Sequence, residues 1–97
     1  MRQRIRAHPG ETLKTEFLAP LGLSANALAR ALGVPANRVT AILNGTRGVS
    51  ADTALRLARY FGTSPEFWLI LQAAHDLSEA KATVGQAIDR AVRPRAA

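Results

Sequence analysis

Glycine and proline interrupt this chain at short intervals, and that spacing is the strongest constraint on its fold. Gly22, Gly33, Gly45 and Gly62 each follow a segment with helical apolar periodicity, and glycine is the residue type that favours a left-handed helix C-terminus. No segment alternates apolar and polar residues with the β-branched enrichment of a strand. The pattern therefore predicts an all-α fold of short helices joined by tight turns.

Capping residues divide the chain into five predicted helices. Ser24 and Ser50 are good N-caps, Pro35 suits a first helical turn, and Pro20 is expected to end the first helix. The five helices are predicted at residues 9–19, 24–33, 35–45, 50–61 and 63–81. Residues 1–8 form a basic leader before a domain over 9–81. The tail, 82–97, has the apolar spacing of a weak sixth C-terminal helix, which Gly85 destabilises.

The charged residues are distributed unevenly. Thirteen Lys and Arg against seven Asp and Glu give a formal net charge of +6, which favours a polyanionic partner, either nucleic acid or an anionic membrane surface. Between Glu16 and Asp52 there is no acid, while Arg30, Arg38 and Arg47 are present. Because phosphates repel carboxylates, this acid-free segment favours nucleic acid as the partner.

Two of the predicted helices have the spacing of a DNA-binding motif. Only Gly33-Val34-Pro35 joins them, so they must cross steeply and touch near the turn, with the small Ala29 at the contact. The pattern resembles the helix-turn-helix, and Asn44-Gly45-x-Arg47 resembles its Cro/repressor-like (XRE) branch. The resemblance implies a five-helix Cro/repressor-like domain with the motif over residues 24–44. The expected core positions are Leu28, Ala29, Leu32, Gly33, Val34, Val39 and Ile42.

The same resemblance implies which residues contact DNA. The N-terminal half of the helix at 35–45 would enter the major groove, where the Asn37 amide can pair with adenine. Asn44, next to Gly45, is equally well explained as a turn residue. The expected base contacts are Asn37, Thr40, Ala41 and Arg38. The expected phosphate contacts are Ser24, Asn26, Arg38, Asn44, the amides of Gly45 and Thr46, and Arg47.

A longer resemblance covers residues 8 to about 77. The segments HPGE (8–11), EFL (16–18), PLGLS (20–24), DTALRLA (52–58), FGT (61–63) and FWL (67–69) are similar to those of HigA-type antitoxins. The resemblance implies a homodimer that represses its own operon at a palindromic operator in double-stranded DNA. It also implies neutralisation of a cognate toxin, a HigB/RelE-like mRNA endonuclease. The alternative is a stand-alone helix-turn-helix transcriptional regulator without a toxin partner.

The helix predicted at 63–81 is apolar on nearly every side. An inward stripe is predicted at Phe67, Ile70, Leu71, Ala74 and Leu77. The opposite face then needs a cover, for which a dimer interface through Trp68, Leu69 and Gln72 is expected. The alternative is that the tail folds back over this face, or instead becomes ordered on a toxin. The leader arginines Arg2, Arg4 and Arg6 are interpreted as a DNA arm, a toxin contact or a solvated segment.

The sequence lacks the residues of an enzyme site. Cysteine is absent, which excludes disulfides and thiolate-rich zinc sites. His8 and His75 are far apart, with no second ligand at metal spacing and no phosphate-binding glycine loop. We therefore expect no catalysis, metal or cofactor. The N-terminus lacks a secretory signal pattern, and the longest apolar run, residues 67–71, is too short to span a bilayer. The expected location is the cytoplasm.

Overall fold

The computed structural model describes residues 4–96 and is all-helical over that range. Its elements are α1 (Pro9–Thr12), a π-helical segment (Leu13–Leu18), α2 (Ala19–Leu21), α3 (Ala25–Leu32), α4 (Ala36–Leu43), α5 (Ala51–Phe61) and α6 (Pro65–Ala91). Because α1, the π-helical segment and α2 are continuous, they form one helical rod. The predicted all-α, five-helix architecture is thus confirmed. Within residues 4–96, even the longest helix lacks the length and apolarity needed to cross a membrane.

The first helical rod does not end at Pro20, as the sequence had suggested, but at Leu21. Proline has no amide proton, so Pro20 cannot continue an ordinary α-helical ladder. The preceding turn is wider, with the Ala19 amide donating to the Lys14 carbonyl, and Pro20 then lies in the first turn of α2. Gly22, with φ of 60°, ends the rod in the left-handed conformation.

The core lies where α3, α4 and α5 meet the first rod and the start of α6. Its fully buried members include Leu13, Leu28, Ile42, Leu57 and Trp68, one from each of these five parts of the chain. Every helix therefore contributes a large apolar side chain to a single cluster. Such shared burial fixes the helices relative to one another, because closely packed interiors do not deform continuously.

Trp68 lies at the centre of the core, so the prediction that it forms a dimer interface is wrong. Its ring is fully buried, its centroid is 5.1 Å from that of Phe17, and its Nε1 donates to Thr63 Oγ1 at 2.8 Å. Of the predicted inward stripe, Leu71 packs against the core, whereas Ile70 and Leu77 are 66% and 57% exposed. Helix α6 is rotated from its predicted orientation.

Helix α6 continues without a break into the tail, in place of the separate weak sixth helix expected there. It has 27 residues, which corresponds to a length of about 40 Å. Gly85 lies within it, and the chain leaves the helix at Val92. The distal half extends away from the core with its side chains largely exposed. The tail does not fold back over the first half of α6.

Candidate DNA-binding interface

Helices α3 and α4 form a helix-turn-helix with tight local geometry. The Ser24 hydroxyl caps α3 by accepting from the Ala27 amide at 3.1 Å. Gly33 adopts φ of 70°, and the Val34 amide donates back to the Ala29 carbonyl at 3.0 Å. Five of the seven expected core positions are buried, Val34 packs on the edge of the core, and Gly33 occupies the turn.

Helix α4 presents a short polar face to solvent. Val39 and Ile42 point into the core, so Asn37, Thr40 and Asn44 are exposed on the other side and Ala41 is half-buried among them. The Thr40 hydroxyl donates to the Ala36 carbonyl at 3.1 Å and keeps its lone pairs for an incoming donor. Within the described residues, the Asn37 amide has no side-chain partner. This face can therefore offer amide and hydroxyl groups to base edges.

Arg38, an expected base and phosphate contact, already forms an ion pair within the protein. Its side chain is only 25% exposed, and Nη1 lies 3.3 Å from Asp52 Oδ1. Its Nε is buried and has no partner among residues 4–96. Arg38 thus lies at the edge of the polar face, already paired with an acid from α5.

Arg56 holds the turn of the motif in place, a role that sequence reasoning missed. Its Nη1 donates to the Leu32 carbonyl at 2.8 Å, at the C-terminus of α3, where a cation is favourable. Its Nε donates to Asp52 Oδ1 at 2.7 Å, and this hydrogen bond lowers the pKa of Asp52 below its usual value. Asp52 therefore links Arg56 to Arg38. The i, i+4 spacing of Asp52 and Arg56 was the available sequence signal.

The N-terminus of α3 is open to solvent. Ser24 and Asn26 are exposed, and the Ser24 hydroxyl satisfies the Ala27 amide. The amides of Ala25 and Asn26, in the first turn, have no partner within the helix and lie at its positive end. Such an end can bind a phosphate.

The loop over residues 44–50, which we call the clamp loop, joins α4 to α5. Its Gly45 amide donates to the Ile42 carbonyl at 3.1 Å, and its Thr46 amide donates to the Ala41 carbonyl at 3.0 Å. The prediction that these two amides bind phosphate is therefore wrong, because both already complete the last turn of α4. The Arg47 side chain is exposed at the tip of the loop.

The first rod supports α4 from behind through a very close backbone contact. Gly10 is buried against the Ile42 carbonyl, and an added Cβ would lie only 1.9 Å from that oxygen. His8 caps this end of the rod, since its Nδ1 accepts from the Gly10 amide at 2.9 Å. Burial lowers the pKa of His8, and the ring of His75, 5.0 Å away, lowers it further. Asp76 and Glu79 oppose this shift more weakly.

The basic leader lies against α6 where the structure describes it. The Arg6 amide donates to Ser78 Oγ at 2.8 Å, and the Arg6 carbonyl lies 2.7 Å from His75 Nδ1. The Arg4 side chain is exposed, and Arg2 lies outside the described residues. The backbone at Arg6 is thus docked on the protein.

The remaining two residues of the expected dimer interface differ in burial. Leu69 is exposed, whereas the Gln72 side chain turns inward and accepts from the Val49 amide at 2.7 Å. The Gln72 oxygen is thus bonded to the clamp loop, and its role as a dimer contact stays a prediction. Within residues 4–96, no cluster of three or more potential ligands could hold a metal ion.

Comparison with known proteins agrees with this geometry. A sequence model of the helix-turn-helix family matches residues 14–68. Antitoxin HigA-1 of Vibrio cholerae is 51% identical over 69 residues, which cover 70% of this chain and 64% of that protein. The matched segment therefore spans just under two thirds of that curated relative.

Solved structures match nearly the whole chain. A HigA-family addiction module antidote protein from Coxiella burnetii superimposes with a TM-score of 0.87 at 53% identity, covering 98% of this chain and 100% of that one. Antitoxin HigA of Pseudomonas aeruginosa, solved with the higBA promoter, gives a TM-score of 0.90 at 47% identity and covers 93% and 98% of the two chains. The chain belongs to the HigA family of helix-turn-helix antitoxins.

Proposed function

We propose that this protein binds operator DNA through α4, represses its own operon, and neutralises a cognate toxin. The observation that carries the DNA-binding part is the exposed, uncharged face of Asn37, Thr40 and Asn44 on a helix-turn-helix. It lies within a sequence segment that has no acid from Phe17 to Ala51. The Pseudomonas aeruginosa relative solved with its promoter supports the same assignment.

The contacts divide into base readers and phosphate contacts. Asn37 is proposed to pair with a base edge, with Thr40 and the Ala41 methyl beside it. Phosphates are proposed to meet the N-terminus of α3 on one side and Arg47 of the clamp loop on the other. Arg38 is proposed to contact a base or phosphate through guanidinium donors other than Nη1, which lies 3.3 Å from Asp52 Oδ1.

A homodimer is proposed to form through the exposed apolar face of α6. Ile70, Leu77 and Val84 recur at seven-residue spacing, and Ile88 continues the same face along the projecting half of the helix. A seven-residue apolar repeat favours a second helix packed alongside, and a second copy provides it with two-fold symmetry. On a palindrome, the two copies would place their α4 helices about 34 Å apart, one DNA turn.

Toxin neutralisation, the absence of catalysis and a cytoplasmic location are proposed from the family. Co-expression of the neighbouring gene's product tests the toxin part. We expect that product to arrest growth alone and growth to recover when this chain is co-expressed. If the neighbouring product is harmless and does not bind the chain, a stand-alone regulator is the correct assignment.

Fluorescence anisotropy tests the DNA part. A labelled duplex from immediately upstream of the gene is compared with a scrambled duplex of equal composition at two salt concentrations. We expect a preference of about 10³ or more for the upstream duplex, near the lower end for specific binders, with a steep salt dependence from phosphate contacts. Equal weak binding to both duplexes would refute autoregulation.

A further inference from the structure

Helix α6 fixes the clamp loop through one polar side chain. Gln72 Oε1 accepts from the Val49 amide at 2.7 Å in a partly buried contact. Gln72 Nε2 donates to Asp76 Oδ1 at 2.9 Å, which sets the orientation of the amide. The side chain also lies flat on Gly48, since a Cβ added there would be 3.0 Å from Gln72 Cδ.

The clamp loop is therefore held at both ends. At its start, the amides of Thr46 and Arg47 donate to the Ala41 carbonyl at 3.0 and 3.2 Å. At its end, the Val49 amide is held by Gln72. Between these two anchors, the Arg47 backbone lies against the His8 ring, where it opposes the lowering of the His8 pKa, and the Arg47 side chain is exposed. The position of Arg47 thus depends in part on Gln72, a half-buried residue of α6.

We propose that Gln72 is a positioning residue for DNA binding. It places Arg47 against the phosphate backbone, and it links the helix that carries the proposed dimer face to the helix-turn-helix. This inference rests on the proposed DNA-binding function. An apolar side chain at position 72 would pack equally well on this face of α6, but it would leave the Val49 amide without its partner. The hydrogen bond to Val49 is therefore what the polar side chain contributes.

The test uses three variants of the full chain. Gln72→Met keeps the volume and removes the amide. The double variant Gln72→Glu/Asp76→Asn exchanges the amide and the carboxylate between the two positions. The new carboxylate at position 72 accepts from the Val49 amide, and the new side-chain amide at position 76 donates to that carboxylate. Gln86→Met makes the same chemical change at an exposed position of the same helix and serves as the control.

We expect Gln72→Met to weaken binding to the upstream duplex about tenfold, as the loss of one charged hydrogen bond would. The slope of log affinity against log salt should fall by about 1, equivalent to one phosphate contact. The exchanged pair and Gln86→Met should bind as the unmodified chain does. Arg47→Ala should weaken binding in the unmodified chain and have little further effect in Gln72→Met, because the two changes remove the same contact.

Other results overturn the inference. The inference is overturned if Gln72→Met binds the upstream duplex with unchanged affinity, or if the losses of affinity in Gln72→Met and Arg47→Ala are additive. It is also overturned if the exchanged pair loses as much affinity as Gln72→Met. A lower melting temperature with an unchanged salt slope would show that Gln72 serves folding alone. If the unmodified chain does not prefer the upstream duplex, the proposed function fails, and that result is distinct from all of these.

Discussion

Replacing Gly10 with alanine tests how closely the first rod packs behind the recognition helix α4. The new Cβ would lie 1.9 Å from the Ile42 carbonyl oxygen and 2.8 Å from its carbon, whereas ordinary van der Waals contact begins at 3.4 Å. Both atoms belong to backbone that is fixed within α4, so no side chain can rotate away. The rod and α4 must therefore move apart, which disrupts the core on both sides of the contact.

The expected cost is near the upper end of overpacking effects, about 3 kcal/mol. For a domain of this size, each 1 kcal/mol lowers the melting temperature by roughly 4–8 °C, so Gly10→Ala should lower it by roughly 12–24 °C. Circular dichroism during thermal and urea unfolding measures both quantities. Protein concentration must be equal for all variants, because dimerisation contributes to apparent stability.

Gly85→Ala is the matched control, and it should change the free energy of unfolding in the opposite direction. Gly85 lies inside α6, and a Cβ there would lie 3.9 Å from Lys81 Cβ, an ordinary contact. Alanine is about 1 kcal/mol more favourable than glycine in a helix interior, so this variant should be more stable than the unmodified chain. If Gly10→Ala changed the free energy of unfolding by less than about 0.5 kcal/mol, the range for neutral surface changes, the packing argument would be refuted.

Three further changes test other parts of the structure. Leu77→Lys should convert the dimer to a monomer in sedimentation analysis. Leu55→Lys, at a leucine of similar exposure away from the α6 face, should leave the protein dimeric. If both variants remained dimeric, the proposed interface would be refuted. Because the pKa of His8 is lowered, the unfolded chain binds more protons there, so stability should fall as pH drops from above 6.5 through the lowered value. In His8→Asn, which keeps a capping side chain, this loss of stability at low pH should disappear. An unchanged dependence of stability on pH would contradict its assignment to His8. Thr63→Val should lower the free energy of unfolding in urea by about 1–3 kcal/mol, because it leaves the buried Trp68 Nε1 without an acceptor. An unchanged free energy of unfolding would show that this hydrogen bond does not stabilise the fold.

The helix-turn-helix was accessible from sequence because its determinants are local. Ser24 and Ser50 cap helices as their positions suggested, and Gly33 and Gly62 take the left-handed conformation that ends them. Caps and left-handed glycines act within a few residues of the chain. Their effect on helix boundaries can therefore be predicted without knowing what packs against the helix.

The orientation of α6 was not accessible in the same way. Its first half is apolar on nearly every side, so hydrophobic periodicity could not decide which face is buried. The structure buries Trp68 and turns the polar Gln72 onto the clamp loop. A polar residue can lie on an inner face when it satisfies a backbone group from a distant loop, and sequence periodicity carries no information about that partner.

The electrostatic contacts around Arg38 were missed for a related reason. Its partner Asp52 is fourteen positions away and belongs to α5. The acid-free segment ends one residue before Asp52, so no acid near Arg38 in sequence pointed to this ion pair. Only the packing of α5 against the motif shows that Arg38 shares Asp52 with Arg56.

The central claim is that Asn37 reads a base edge from the exposed face of α4. The most direct measurement is the affinity of the unmodified chain and of Asn37→Ala for the upstream duplex and for versions in which each base pair is replaced in turn. The account predicts that Asn37→Ala loses about 1–3 kcal/mol on the intact site and no longer discriminates at one base pair in each half-site, while discrimination elsewhere is kept. If Asn37→Ala weakened binding to every duplex by the same factor, the base-reading role of α4 would be contradicted.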